Sequence, residues 1–528
     1  MKNNWKEFVL SYFHDEASGL SLDLSHMDIT STAVQEFQPK WIKAHKAMNE
    51  LEKGSIANPD ENRMVGHYWL RNPELAPDSD ISSAISSTLS GIKEFANSIL
   101  SGSVIGENGP FKNILLIGIG GSALGPQLVD KALTTTQTQG LSTFYFDNTD
   151  PDGMNIILHQ IGRQNLGSTL VLVISKSGGT KETRNGMLAA ENAWTQAGLN
   201  FNKHAVAITS DGSLLHKYAT DNNWITTFPM WDWVGGRTSV MSAVGLLPAA
   251  LQGHNIDDFL AGAAHADSLT RQPNWSDNPA AQLATAWYCA TQGTGAKAMV
   301  ILPYKDRLDL FSKYLQQLVM ESLGKELDLD GQVVNQGITV YGNKGSTDQH
   351  AYVQQLRDGV NNFFATFIEI LKSEDAKSTE VEPAVFTGDY LAGFLQGTRT
   401  ALSENNRQSL TITVPELDAR SLGLLIALYE RAVGYYASFV NINAYHQPGV
   451  EAGKKAAGQV ILVMQSVESF LKSNPNDMFH VEQLAEALNM QGDEETLFRV
   501  LIHLAANRPS IQSSGNGKPD STRFGYHT

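Results

Sequence analysis

From Lys112 onward, short apolar runs alternate with segments of helical period. KNILLIG, STFYFDN, STLVLVISK, HAVAITS and WITTF read as five strands with helices between them. A helical connection over about 239–292 leads to a second series, AKAMVILP, GITVYGN, NFFATFIEI and LTITVPE. Leu170 to Ile174 is apolar throughout and too short for a helix, which suits a strand buried on both faces of a parallel sheet. Two βα series predict an α/β fold of two doubly wound αβα domains, whose ligands sit beyond the carboxyl ends of the strands.

The pattern divides the chain into four parts. Residues 1–108 read as helices and loops, broken by NPDEN and NPELAPDSDISS, and form a helical N-terminal segment that packs on the larger domain. The first α/β domain covers 109–292, and the second covers 293–474 and ends in a helix. Residues 475–528 form a small appendage of two or three short helices with a polar end, SSGNGKPDSTRFGYHT, and its helix, break, helix pattern suggests a winged-helix-like module. From Val467 to Thr528 five Lys/Arg face eight Asp/Glu, so the appendage reads as structural rather than DNA-binding. No heptad array or longer repeat is visible.

Composition narrows the function classes. A length of 528 residues with 42% hydrophobic and 18% charged residues fits a soluble globular protein of two or three domains. The formal net charge of -16 argues against nucleic acid. A single cysteine, Cys289, excludes an intrachain disulfide and a cysteine-based metal site, and is expected to be a buried reduced thiol. No segment has the roughly 18 apolar residues of a membrane span, and MKNNWKEFVLSYF lacks a cleavage signal, so a cytoplasmic location is expected.

Six stretches could carry chemistry. After STLVLVI the chain opens into Ser175-Lys176-Ser177-Gly178-Gly179-Thr180, where glycines let N–H groups converge and Thr180 can cap a helix through Glu182, Met187 and Ala190. Such a helix N-terminus, with hydroxyls and an ammonium beside it, suits an anion. The spacing is not that of a nucleotide P-loop. A second loop, Gly118 to Gly125, follows ILLI and admits a dinucleotide reading, with Asp147 as the ribose acid. Against that, Ala123 stands at the third glycine and Ser122 adds a hydroxyl. If the first and third strands are neighbours, Ser122 and the 175–180 loop can grip one phosphate.

Arg237 follows Gly235-Gly236 and enters the apolar run VMSAVGLLPAA. A cation at a helix N-terminus is unfavourable unless a ligand brings negative charge, although an ion pair with Asp232 or another acid would also account for it. In RLDLFSKYLQQLVMESLGKELD, Leu308, Phe311, Leu315, Leu318 and Ser322 mark a packed face beside Gln317 and Glu321. A helical ion pair of Glu321 with Lys325 is the plain alternative to a catalytic carboxylate. In GNKGSTDQHAYVQQLRDG, Asp348 can cap the following helix and place His350 in its first turn. In YHQPGVEAGKK, Pro448 can begin a helix that carries Lys454, which could equally be a surface lysine.

The order of GIGGSALGPQLV, SKSGGTKET, GGRTSVMSAVGL, MESLGKE, DQHAYVQQLRDG and HQPGVEAGK closely resembles the glucose-6-phosphate isomerase family from about Lys112 to Lys455, and NRMVGHYWLRNP resembles an earlier family segment. The resemblance implies two sugar-isomerase (SIS) domains, a homodimer, and reversible isomerisation of glucose 6-phosphate and fructose 6-phosphate in glycolysis and gluconeogenesis, with no cofactor and no metal. It places Gly121, Ser122, Ser175, Lys176, Ser177 and Thr180 on the phosphate loops, Gln317 near the same ligand and Gln447 at the far end of the site. It makes Glu321 the base, Arg237 the cation over the enediolate, and His350 and Lys454 the ring-opening pair, with His350 supplied by the other subunit. Thr238 and Leu323 depart from the family pattern where an aromatic and, in some members, Asn stand. Two alternatives remain at this point: a sugar phosphate isomerase that also takes mannose 6-phosphate, and a sugar phosphate-binding regulator.

Overall fold

The five apolar runs of the first series form one parallel sheet, in the order Ser142–Phe146, Asn113–Ile117, Thr169–Ile174, Ala205–Thr209, Thr226–Pro229. The structure is a computed structural model that describes residues 5–373 and 379–527, with the side chains at positions 31, 450–452 and 454 outside the description. Alternation along each strand explains its burial. Ile114, Leu116, Leu170 and Leu172 enter one core, while Leu115, Ile117, Val171 and Val173 enter a second on the opposite face.

The second series forms the parallel part of a six-stranded sheet, in the order Val340–Tyr341, Ala298–Pro303, Phe363–Ile370, Ser409–Val414. Met299, Ile301, Phe364 and Ile412 share the first sheet's inner core. The buried helix Ala419–Phe439 packs in the same core. The N-terminal region, expected to hold only helices and loops, also supplies two antiparallel strands, Tyr12–His14 and Ser21–His26, to the edge of this sheet. SLDLSH alternates with period two: Leu22 and Leu24 face the core, and Asp23 on the other face pairs with Arg399.

The chain separates into two compact units, residues 1–446 and 447–528. The second unit begins earlier than the expected boundary at 475. In helix Pro448–Ser473, Val467 and Leu471 pack in one core with Val481, Leu484, Leu497, Leu501 and Phe524. The polar end is not a loose tail: Ile511–Ser514 and Arg523–Tyr526 form a hairpin, and Met478–His480 pairs with the second of these strands. Cys289 is half-buried rather than fully buried, and burial raises the pKa of its thiol. Among the described residues no helix is long and apolar enough to cross a membrane.

A buried ionic network fixes the 67–71 turn to two long helices. Arg71 donates to Asp267 and Glu430, both at 2.7 Å; Arg431 pairs with Asp267 at 3.0 Å and with Glu52; Arg271 pairs with Glu52 at 2.7 Å. Arg431 also lies 4.0 Å from the ring centroid of Tyr68. Removing one member of such a network leaves buried charge uncompensated. Arg71→Met should therefore lower stability by about 3–5 kcal/mol in denaturant unfolding at neutral pH. A loss below about 1 kcal/mol, the range of an exposed pair, would contradict this.

Candidate active site

The loops after the first and third strands lie side by side, because Asn113–Ile117 pairs with both Ser142–Phe146 and Thr169–Ile174. The strand order reverses at this point, so a crevice opens beyond the carboxyl ends. Ser122 stands at the end of the Gly120–Ser122 turn that leads into helix Leu124–Leu133. In the neighbouring loop Ser175 is buried and its hydroxyl accepts the N–H of Gly178 at 3.1 Å, while Ser177 is exposed and accepts that of Gly179 at 3.1 Å. Thr180 occupies the N-cap position of helix Lys181–Ala197, yet its hydroxyl makes no capping bond. The dinucleotide reading loses its acid, since Asp147 accepts from Gln127 at 2.8 Å.

Lys176 bridges two loops. Its ammonium donates to the carbonyls of Asp232 at 3.3 Å and Val234 at 3.2 Å and lies 3.5 Å from the Asp232 carboxylate. Burial pulls its pKa down, and Asp232 opposes that shift. The adjacent turn Gly236–Thr238 packs directly on the first loop: a β-carbon at Gly121 would stand 2.0 Å from the Gly236 carbonyl oxygen. Ser239 ties the pair, its hydroxyl donating to the carbonyls of Gly236 at 2.8 Å and Gly121 at 3.3 Å.

Arg237 is thereby held at the crevice with 8% exposure. It does not stand at a helix N-terminus as expected, because the helix begins at Ala243 behind the cap Ser242. Its compensation is an acid far along the chain: the guanidinium lies 3.2 Å from Oε2 of Glu321 and donates to the carbonyls of Ala444 at 2.9 Å and His446 at 3.2 Å. Burial lowers the Arg237 pKa, and the Glu321 charge opposes this. Gln317 donates to the same Oε2 at 3.2 Å, and its amide nitrogen lies 3.1 Å from where a Gly120 β-carbon would stand. Gln317 and Glu321 sit on a π-helical turn, Gln316–Glu321, that continues helix Phe311–Leu315. Such widened turns concentrate at functional sites. One carboxylate oxygen, Oε2, is thus held by both Arg237 and Gln317.

The expected Glu321–Lys325 side-chain pair does not form. Lys325 turns its ammonium onto the carbonyls of Glu321 at 2.8 Å and Ser322 at 2.7 Å. This residue was read only as the partner of a surface ion pair, and its place after Gly324 at the helix end was the signal for a capping role. Asp348 is not a helix cap: it is buried and accepts from Asn343 N–H at 3.0 Å and from Tyr352 at 2.5 Å. His350 ends the short turn Asp348–His350 ahead of helix Val353–Asp358 and is exposed. Gln447 is exposed at the N-cap position of helix Pro448–Ser473, in the C-terminal unit, and the Lys454 side chain lies outside the described residues. The structure thus gathers Gly121, Ser122, the 175–180 loop, Arg237, Gln317 and Glu321, and links His350 to none of them by hydrogen bond or ion pair among the described residues.

Comparison with known proteins finds similar chains. A family model described as phosphoglucose isomerase matches residues 23–394 and 395–476. The chain is 58% identical over 504 residues to a glucose-6-phosphate isomerase of Geobacter sulfurreducens, covering 95% of each. It is 54% identical to the chloroplastic glucose-6-phosphate isomerase 1 of Arabidopsis thaliana, over 98% of this chain and 86% of that one. A crystal structure of a Chlamydia trachomatis glucose-6-phosphate isomerase shares the fold, with a TM-score of 0.79 at 24% identity over 88% of this chain and 92% of that one.

The geometry makes Lys176 a strut between loops, in the stretch that the sequence reads as suited to an anion. Lys176→Ala should weaken binding of a phosphorylated ligand by about tenfold or more, or about 1.4 kcal/mol, in titration calorimetry. Unchanged affinity would remove the 175–180 loop from the anion site.

Proposed function

The chain belongs to the phosphoglucose isomerase family, and we propose that its gathered residues divide the isomerisation between a phosphate anchor and a single carboxylate base. Its activity is that of a glucose-6-phosphate isomerase, an aldose–ketose isomerase interconverting glucose 6-phosphate and fructose 6-phosphate. In our reading it serves glycolysis and gluconeogenesis as a cytoplasmic homodimer.

Gly121, Ser122, Ser175, Lys176, Ser177 and Thr180 hold the phosphate, with Gln317 beside them and Gln447 at the other end of the sugar. Anchoring a group remote from the reacting carbons supplies binding energy that orients them. His350 and Lys454 open the ring by moving the anomeric hydroxyl proton to the ring oxygen. Glu321 then takes the C2 proton of the open aldose; the C2 electron pair forms the C1–C2 double bond, and the carbonyl oxygen becomes the enediolate oxygen. Transfer of the C2 hydroxyl proton to the C1 oxygen moves the negative charge onto the C2 oxygen; return of the carbon-borne proton from Glu321 to C1, with C2–O collapsing to a carbonyl, then gives the ketose with a C1 hydroxyl. Arg237 stays protonated throughout and stabilises the enediolate by charge. The exposed position of His350 on this chain supports its delivery to the site of a second copy.

The observation that carries the reading is the Glu321 carboxylate, whose Oε2 is held by both Arg237 and Gln317 next to the crevice. Glu321→Gln should keep the Kd for fructose 6-phosphate within about threefold while kcat falls by about 10³-fold, the range of a lost general base. Turnover close to that of the unmodified enzyme would assign the proton transfer to another group.

A further inference from the structure

The helix that carries Glu321 stops abruptly. Gly324 N–H closes on the Met320 carbonyl at 2.8 Å, and the chain turns at once into strand Lys325–Leu327, which pairs with Val333–Gln336 with Lys325 opposite Gln336. The carbonyls of Glu321 and Ser322 are therefore last-turn acceptors that require a donor from outside the helix. The Lys325 ammonium fills both positions, at 2.8 and 2.7 Å, and the residue is only 4% exposed. We propose that Lys325 is a positioning residue for the isomerisation: its hairpin-anchored ammonium clamps the backbone of Glu321 and fixes the reach of the carboxylate that Arg237 and Gln317 orient.

This rests on the reading of Glu321 as the base. Lys325 touches the base through its backbone and has no place in the proton transfer itself. A buried ammonium is costly unless hydrogen-bonded, so the two carbonyls stabilise the cation as much as it stabilises them. The charged groups facing it are Arg237 from the 236–238 turn, Glu321 from its own helix, Asp60 from the Pro59–Glu61 turn and, from the segment after the long helix, His446. Burial, with Arg237 adding repulsion, brings its pKa down to about 8, while Glu321 and Asp60 oppose the shift. The clamp is thus charge-assisted below about pH 8 and loses that assistance as pH rises through the value.

The test compares kcat and KM of the full-length enzyme and Lys325→Met between about pH 6.5 and 9.5, with Lys325→Arg and Glu321→Gln alongside. At about pH 7 Lys325→Met should lose tenfold or more in kcat with KM changed by less than about threefold, and the gap should narrow several-fold by about pH 9.5. A structural lesion unrelated to the clamp would lower activity by the same factor at every pH. A flat ratio, or a kcat within about threefold of the unmodified enzyme at about pH 7, overturns the proposal. Should Lys325→Met fail to fold, Lys325→Arg keeps the charge, and the alkaline fall of kcat should move up by at least about one pH unit; an unmoved fall overturns it equally. Glu321→Gln separates the two readings: if that variant turns over normally the base assignment itself fails, whereas an inactive Glu321→Gln beside a flat Lys325→Met ratio rejects the clamp alone.

Discussion

A side chain at Gly121 would place its β-carbon 2.0 Å from the carbonyl oxygen of Gly236, so the first phosphate loop and the turn carrying Arg237 meet backbone to backbone. Only glycine permits that approach. Three consequences depend on it. Arg237 is carried to the mouth of the crevice between the first and third strands; Ser239 bridges the two loops through their carbonyls; and the Lys176 ammonium reaches the 232–234 backbone from the other side. The crevice and Arg237 thereby become one surface rather than two loops that have to find each other.

Glu321 reaches that surface through a local irregularity. A regular helix would continue past Leu315, but Gln316–Glu321 widens into a π turn, from which Glu321 meets Arg237 and Gln317 meets Glu321. The electrostatics are mutual. Arg237 and Lys325 both have pKa values lowered by burial, and Glu321 opposes the shift at each.

Much of the fold was legible from periodicity. All five strands of the first series follow from short apolar runs separated by helical segments, because parallel strands buried on both faces leave that signature, whereas the pairing of its first and third strands comes from the sheet itself. The strand Ser21–His26 was missed although SLDLSH alternates, since its partner Ser409–Val414 lies far along the chain and no local turn announces the pairing. The hairpin of the C-terminal unit hid in a polar sequence, because, of its residues, Ile511 and Phe524 enter the core, with Tyr526 packed against it, among many exposed ones. At the crevice, local spacing left the partners open. Arg237 pairs with Glu321, far along the chain, and Lys325 caps the helix end instead of pairing with the Glu321 side chain. Such pairings arise from tertiary packing, which spacing along one helix does not encode.

The docking of the two backbones can be probed without touching any polar group. Gly121→Ala adds one methyl group where the Gly236 carbonyl stands, and steady-state kinetics with fructose 6-phosphate read the result. A displaced phosphate loop and a displaced Arg237 should together lower kcat/KM by about 10³-fold, or about 4 kcal/mol, while cooperative unfolding persists. A kcat/KM within about threefold of the unmodified enzyme would contradict the claim that this contact assembles the site.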